Sequence, residues 1–176
     1  MEFEINILEG VEVSVEGNII RVKKADKELT REFPVNQLKI EISTSVVKLS
    51  NFTENAKSKA LVGTFRAHIR NMIKGVGQPF EYKLKICSAH FPMSVKQSSN
   101  EIQVQNFLGE KKPKKIKTIP NVNVKIEGQD ITVTSSDIEL AGIMASKLEQ
   151  STRLRKKDRR IFQDGIFIVS KAGKKV

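Results

Sequence analysis

At 176 residues, 39% of them hydrophobic and 29% charged, the chain can bury a core, and it has no apolar run near the roughly 18 residues that a membrane span requires. Its 31 Lys and Arg against 20 Asp and Glu give a net charge of +11, which points to a polyanionic partner. A single cysteine, Cys87, leaves no internal disulfide and no multi-thiolate zinc site.

The first ten residues, MEFEINILEG, are acidic and lack the basic and apolar regions of a secretory signal, so the expected location is the cytoplasm. Residues 1–50 carry 7 bases and 9 acids, which places the cationic excess after residue 50. Alternating apolar residues then predict half-buried antiparallel strands at Val11, Val13 and Val15, at Ile20 and Val22, at Leu38, Ile40 and Ile42, and at Val47 and Leu49.

A helix is expected from about Thr53 to Lys74, with Leu61, Phe65, His68, Ile69, Met72 and Val76 along one stripe. Lys59, Arg66, Arg70 and Lys74 fall on the opposite face with Gly63, a face suited either to solvent or to a phosphate backbone. Two glycines and a proline in Gly75-Val76-Gly77-Gln78-Pro79 interrupt the pattern and suggest a boundary. The apolar residues Phe80, Tyr82, Leu84 and Ile86 then predict a strand closing the first copy.

A second strand series follows in the same order: Met93 and Val95, Ile102 and Val104, Val122, Val124 and Ile126, then Ile131 and Val133. Its first four residues match the earlier series at a constant separation of 82, and a later group matches at 84, so a short loop insertion accounts for the change. Between these strands, Lys111, Lys112, Lys114, Lys115 and Lys117 decorate a segment stiffened by Pro113 and expected to be a loop, suited either to reaching a nucleic-acid backbone or to serving as a solubilising hairpin. Ile138, Ala141, Met144, Ala145 and Leu148 repeat the helical stripe. A last strand is expected at Ile166 to Val169.

The sequence therefore predicts an α+β chain of two tandem duplicated units, residues 1–77 and 78–176. Each is read as ββββαβ, an antiparallel-rich sheet with one packed helix.

The densest charge lies at Arg153, Arg155, Lys156, Lys157, Arg159 and Arg160, six bases in eight residues. Such a cluster repels itself unless anions neutralise it, and phosphate oxygens match both the arginine fork and the lysine point charge. The alternatives are a solvated loop or a nuclear-import signal. The following Asp164-Gly165 reads as a turn leading into a buried strand, which would anchor the basic segment. Lys171, Lys174 and Lys175 close the chain, either extending along phosphates or forming a loose end.

Catalytic chemistry finds no support. His68 and His90 fall in different units and in no metal or triad spacing, and Gly75-x-Gly77 follows a helix and precedes a strand, the reverse of a dinucleotide-binding turn. No enzyme activity, metal, cofactor or small-molecule substrate is expected. Aromatics make up 6%, mostly phenylalanines at core-like positions, so RNA recognition should rest on phosphates and shape more than on base stacking.

The residues also resemble a known family, the archaeal and eukaryotic branch of the large-subunit ribosomal protein called L-six in bacteria and L-nine in eukaryotes. The match runs from Gln150 through Leu154, Lys157, Arg160, Phe162, Asp164, Gly165, Ile166, Phe167 and Ile168 to Lys171. It extends to Leu61–Val76, to Ala89-His90-Phe91-Pro92 and to Asn106–Lys111, with Gly77-Gln78-Pro79 departing from the family's usual turn. The resemblance implies two similar domains that bind large-subunit ribosomal RNA near the sarcin-ricin loop and touch neighbouring ribosomal proteins. Translation factors would feel the chain indirectly, through that RNA. It carries over Lys157, Arg160 and Lys171 as signature bases, whereas Arg153, Arg155, Lys156 and Arg159 occupy variable positions. The alternative function is a non-ribosomal RNA-binding adaptor or RNA chaperone.

Overall fold

The computed structural model describes residues 2–25, 27–34, 38–43, 46–51, 55–155 and 157–176. The chain divides into two compact units, Met1–Pro79 and Phe80–Val176.

Among the described residues of the first unit, six strands precede one helix: β1 (Glu2–Asn6), β2 (Glu12–Glu16), β3 (Ile19–Lys24), β4 (Lys27–Glu32), β5 (Leu38–Ile42), β6 (Val46–Asn51) and α1 (Ala56–Gly77). They form two antiparallel sheets, ordered β1-β6-β5 and β2-β3-β4. Alternation sends Ile20 and Val22 of β3 and Val47 and Leu49 of β6 to one side, where all four are fully buried. Helix α1 covers them with Val62, Ile69, Met72, Ile73 and Val76. Its N-cap residue, Asn55, makes no side-chain cap and its first turn has no acid, so packing of this stripe holds the helix in place.

The second unit repeats the plan with β7 (Phe80–Cys87), β8 (Ser94–Gln97), β9 (Glu101–Gln105), β10 (Lys114–Lys117), β11 (Asn123–Glu127), β12 (Asp130–Ser135) and α2 (Ile138–Ser151). It then adds β13 (Gly165–Lys171) and β14 (Lys174–Lys175). Its sheets run β11-β12-β7-β13-β14 and β10-β9-β8. Matched residues hold matched register: Val13 faces Val22 as Val95 faces Val104, and Ile40 faces Leu49 as Val124 faces Val133. Asp137 caps α2, its carboxylate accepting from the Glu139 N–H at 2.8 Å. Ala141 and Ala145 give α2 a narrow buried face on the sheet.

The α+β duplication stands, but the repeating unit differs from ββββαβ. The strand at Phe80–Cys87 opens the second copy, pairing with β12 as β1 pairs with β6, and does not close the first. Four further strands, β1, β4, β10 and β14, are present in the described residues, each at the edge of its sheet. Gly75 and Gly77 do not interrupt the helix: α1 runs through both, and Gly75 is buried. The expected helix start at Thr53 lies outside the described residues.

Candidate nucleic-acid interface

The basic segment after α2 is fastened at both ends. At its start Thr152 is buried, and its hydroxyl oxygen accepts from the Ile166 N–H at 2.8 Å while donating to the Glu149 carbonyl at 3.2 Å. At its end Asp164 is buried and takes three hydrogen bonds: from the Ala89 N–H, from the His90 N–H at 2.9 Å and from His90 Nδ1 at 2.6 Å. An ionised carboxylate only accepts, so Nδ1 carries the proton. Burial pushes the Asp164 carboxyl up, but the hydrogen bonds from the His90 N–H, the His90 ring and the Ala89 N–H outweigh it and hold its pKa below the ordinary carboxylate value. Asp164 is therefore a tertiary clamp and not the turn residue that Asp-Gly suggests. Gly165 opens β13 at a φ of +155°, where a Cβ would lie 3.3 Å from both the Thr152 hydroxyl oxygen and the Phe167 ring.

Between these anchors Arg153, Arg155, Lys157, Arg159 and Arg160 are exposed, and Lys156 lies outside the described residues. Leu154 is partly buried and packs on the core, tying the middle of the segment down. Asp158 organises the turn: its carboxylate accepts from the Arg160 N–H at 2.9 Å, and its carbonyl accepts from the Phe162 N–H at 2.9 Å. The Arg160 guanidinium also pairs with it at 2.9 Å, and this hydrogen bond, with that of the Arg160 backbone, holds the Asp158 carboxyl below its usual range. Arg160 keeps 90% of its side-chain exposure, so an incoming phosphate can compete for it.

Aromatic rings support the cations. Lys157 Nζ sits 4.4 Å from the centre of the Phe162 ring, and Phe162 lies against the His90 ring at 4.9 Å. Asp164, His90, Phe162 and Lys157 thus form a column from the buried carboxylate to the surface. Lys114 Nζ similarly sits 4.2 Å above Phe107, which is buried.

The two basic runs, some forty residues apart in sequence, meet in space. Lys114, Arg153, Arg155 and Lys157 line one open concavity of about 440 Å³ floored by Phe107 and Leu154. Arg153 also borders a larger hollow of about 850 Å³ with Arg159, Phe162 and Phe167. The lysine run is not a plain loop, because Lys114–Lys117 is strand β10, paired with β9. Pairing turns Lys114 toward the concavity, while Lys115 is directed elsewhere and lies 3.9 Å from Glu101. Lys111 and Lys112 are exposed in the bend before β10 and line neither hollow.

The remaining candidates lie apart. Lys171, Lys174 and Lys175 stand on a β13–β14 hairpin turned by Ala172 and Gly173 at φ values of 48° and 84°, an ordered edge and not a loose end. Arg66 and Arg70 belong to the first unit, exposed on α1, with Arg66 4.7 Å over the Phe3 ring. His68 is half-buried and edge-on to Phe65. Sequence reasoning placed an anchor at Asp164-Gly165, as a turn, but missed Phe107, Phe162 and His90 as supports, and an aromatic following a basic run was the one local signal available.

A family model described as Ribosomal protein L6 matches residues 7–78 and 91–165, one segment in each unit. The chain is 44% identical over 184 residues to the Large ribosomal subunit protein uL6 of Nanoarchaeum equitans (strain Kin4-M), covering 100% of this chain and 96% of that one. It is 46% identical over 173 residues to the Large ribosomal subunit protein uL6 of Methanococcus vannielii, covering 97% and 94%. On the strength of a duplicated fold, a fastened basic surface and similarity along its whole length, the chain belongs to the ribosomal protein L6 family, whose members are structural and not enzymes.

Proposed function

We propose that this protein is a structural constituent of the large subunit of the cytoplasmic ribosome that binds and organises large-subunit ribosomal RNA near the sarcin-ricin loop. The observation that carries the reading is the convergence of Lys114 with Arg153, Arg155 and Lys157 around one concavity. Four cations brought together from separate segments repel one another. Glu110 lines the same concavity 3.6 Å from Lys114, but one carboxylate does not offset four cations, and a phosphate backbone supplies the remaining compensating charge. Arginines offer planar forks to the phosphate oxygens and the lysines add point charges above aromatic rings. The Lys171–Lys175 hairpin extends the same chemistry along a neighbouring stretch of backbone.

The protein performs no reaction. Its effect on translation factors passes through the RNA it holds, and neighbouring ribosomal proteins are its other partners. Crosslinking from a photoreactive residue at position 157 in purified large subunits tests the reading. Links to nucleotides in or beside the sarcin-ricin loop are expected. Links to protein alone, or absence of the chain from large subunits in a sucrose gradient, would overturn it in favour of an adaptor or chaperone role outside the ribosome.

A further inference from the structure

The two copies differ in one respect that duplication makes visible. In the second unit β7 is flanked on both sides, by β12 and by β13. Strand β13 also packs against α2: Ile166 is buried, and the Ile168 N–H donates to Glu149 Oε1 at 3.2 Å. In the first unit β1 takes the place of β7 and β6 that of β12, but among the described residues no strand lies on the outer side of β1. A groove of about 330 Å³ lies there between β1 and α1.

The walls of this groove define what fits it. Ile5 and Ile73 line it, with Leu8 at its rim half exposed, so an apolar surface stands where Ile166 and Ile168 are accommodated in the other copy. The edge of β1 presents N–H and C=O groups in alternation, a pattern that an extended polypeptide completes and a phosphate backbone, which offers acceptors alone, does not. Arg66, Arg70 and Lys74 follow at successive intervals of four along α1 and form the helix wall. Counting from the buried stripes, the matching positions of α2 are Ile138, Gly142 and Ser146, none of them charged. Long cations thus stand at these positions only in the copy whose groove no described strand of its own unit covers. Glu4 also borders the groove, but Lys48 pairs with its carboxylate at 3.1 Å, and one acid stands there against the three cations of the helix wall.

We infer that the groove between β1 and α1 receives an extended acidic segment of a neighbouring protein, added to β1 as an outer strand with apolar residues on Ile5 and Ile73 and carboxylates on Arg66, Arg70 and Lys74. The inference is independent of the RNA surface of the second unit, so each can fail alone.

Hydrogen exchange on the wild-type chain and photocrosslinking test it together. In purified large subunits the amides of Glu2–Asn6 should exchange at least tenfold more slowly than in the isolated full-length protein. A photoreactive residue at Leu8 should link to one protein, at a peptide rich in Asp and Glu with alternating apolar residues, and Arg70→Glu should abolish the link. Equal exchange in the two states overturns the inference even if the Leu8 variant fails to assemble. Links to a second copy of this chain or to a basic peptide overturn it too, and so do links to ribosomal RNA, which would return Arg66 and Arg70 to phosphate binding. Links from position 157 to RNA, unchanged by Arg70→Glu, separate failure here from failure of the RNA reading.

Discussion

Asp164 Oδ2 accepts a hydrogen bond from His90 Nδ1 at 2.6 Å, joining two loops 74 residues apart in sequence. With the two backbone N–H groups on its other oxygen, the carboxylate fixes the end of the basic segment to the turn after β7. Asp164→Asn should cost about 1.5–3 kcal/mol, because charged hydrogen bonds are lost while the donors remain in place. Urea unfolding is a direct measure, and Tyr82, the only tyrosine in a chain without tryptophan, reports on the second unit by its fluorescence.

The same clamp predicts an acid dependence. The folded pKa of Asp164 is depressed, so its stabilising contribution is fully present above the unfolded value of about 3.9 and is lost as pH falls from there through the folded value. Stability of the second unit should therefore drop more steeply below about pH 4 in the wild type than in Asp164→Asn. Parallel curves for the two proteins would show that the carboxylate is not the titrating clamp.

How much of this was legible beforehand depended on range along the chain. Paired strands such as Val13 with Val22 and Val95 with Val104 could be read because local alternation and the repeat separation agreed. Strands β4 and β10 could not: as edge strands they have one wet face, and Leu29 in KELTRE or Ile116 in KKIK is a single apolar residue without an alternation to detect. Gly75 and Gly77 suggested a break, yet tertiary packing of Met72, Ile73 and Val76 carries α1 through them. Asp164 was invisible as a clamp, since nothing near it in sequence announces Ala89 and His90.

Thr152 and Gly165 should be intolerant positions for different reasons. Thr152→Val keeps the shape but leaves the buried Ile166 N–H without its acceptor, at a cost of about 1–3 kcal/mol. Gly165→Ala introduces a Cβ 3.3 Å from the Thr152 hydroxyl oxygen at a φ of +155°, and should cost a similar amount, about 1–3 kcal/mol, through strain. Thermal unfolding followed at Tyr82 distinguishes both from a surface control such as Lys147→Ala, which should be nearly neutral.

Phe162 supports Lys157 and leans on His90, so its removal should alter affinity without altering the number of phosphate contacts. Phe162→Leu should weaken RNA binding a few-fold, in line with the loss of about 0.5–1 kcal/mol of cation–π attraction that positions the ammonium. The salt dependence of binding should stay as it was. A flattened slope would mean that the ring holds more cations in place than Lys157 alone.

Arg160 and Lys157 should differ in a way that only the structure suggests. Lys157 stands over an aromatic ring, and no acid among the described residues pairs with it, so Lys157→Gln should flatten the logarithmic salt slope by about 0.9 for one lost contact on duplex-like RNA. Arg160 is paired with Asp158, so Arg160→Gln removes a cation and at the same time exposes a carboxylate to the phosphates. Its effect on affinity should exceed that of Lys157→Gln, and adding Asp158→Asn to Arg160→Gln should recover part of the loss. Filter-binding titrations across a range of salt concentrations measure both slope and affinity. If Asp158→Asn gives no recovery, the ion pair does not govern how Arg160 meets RNA; if neither base alters the slope, the two are not phosphate contacts at all.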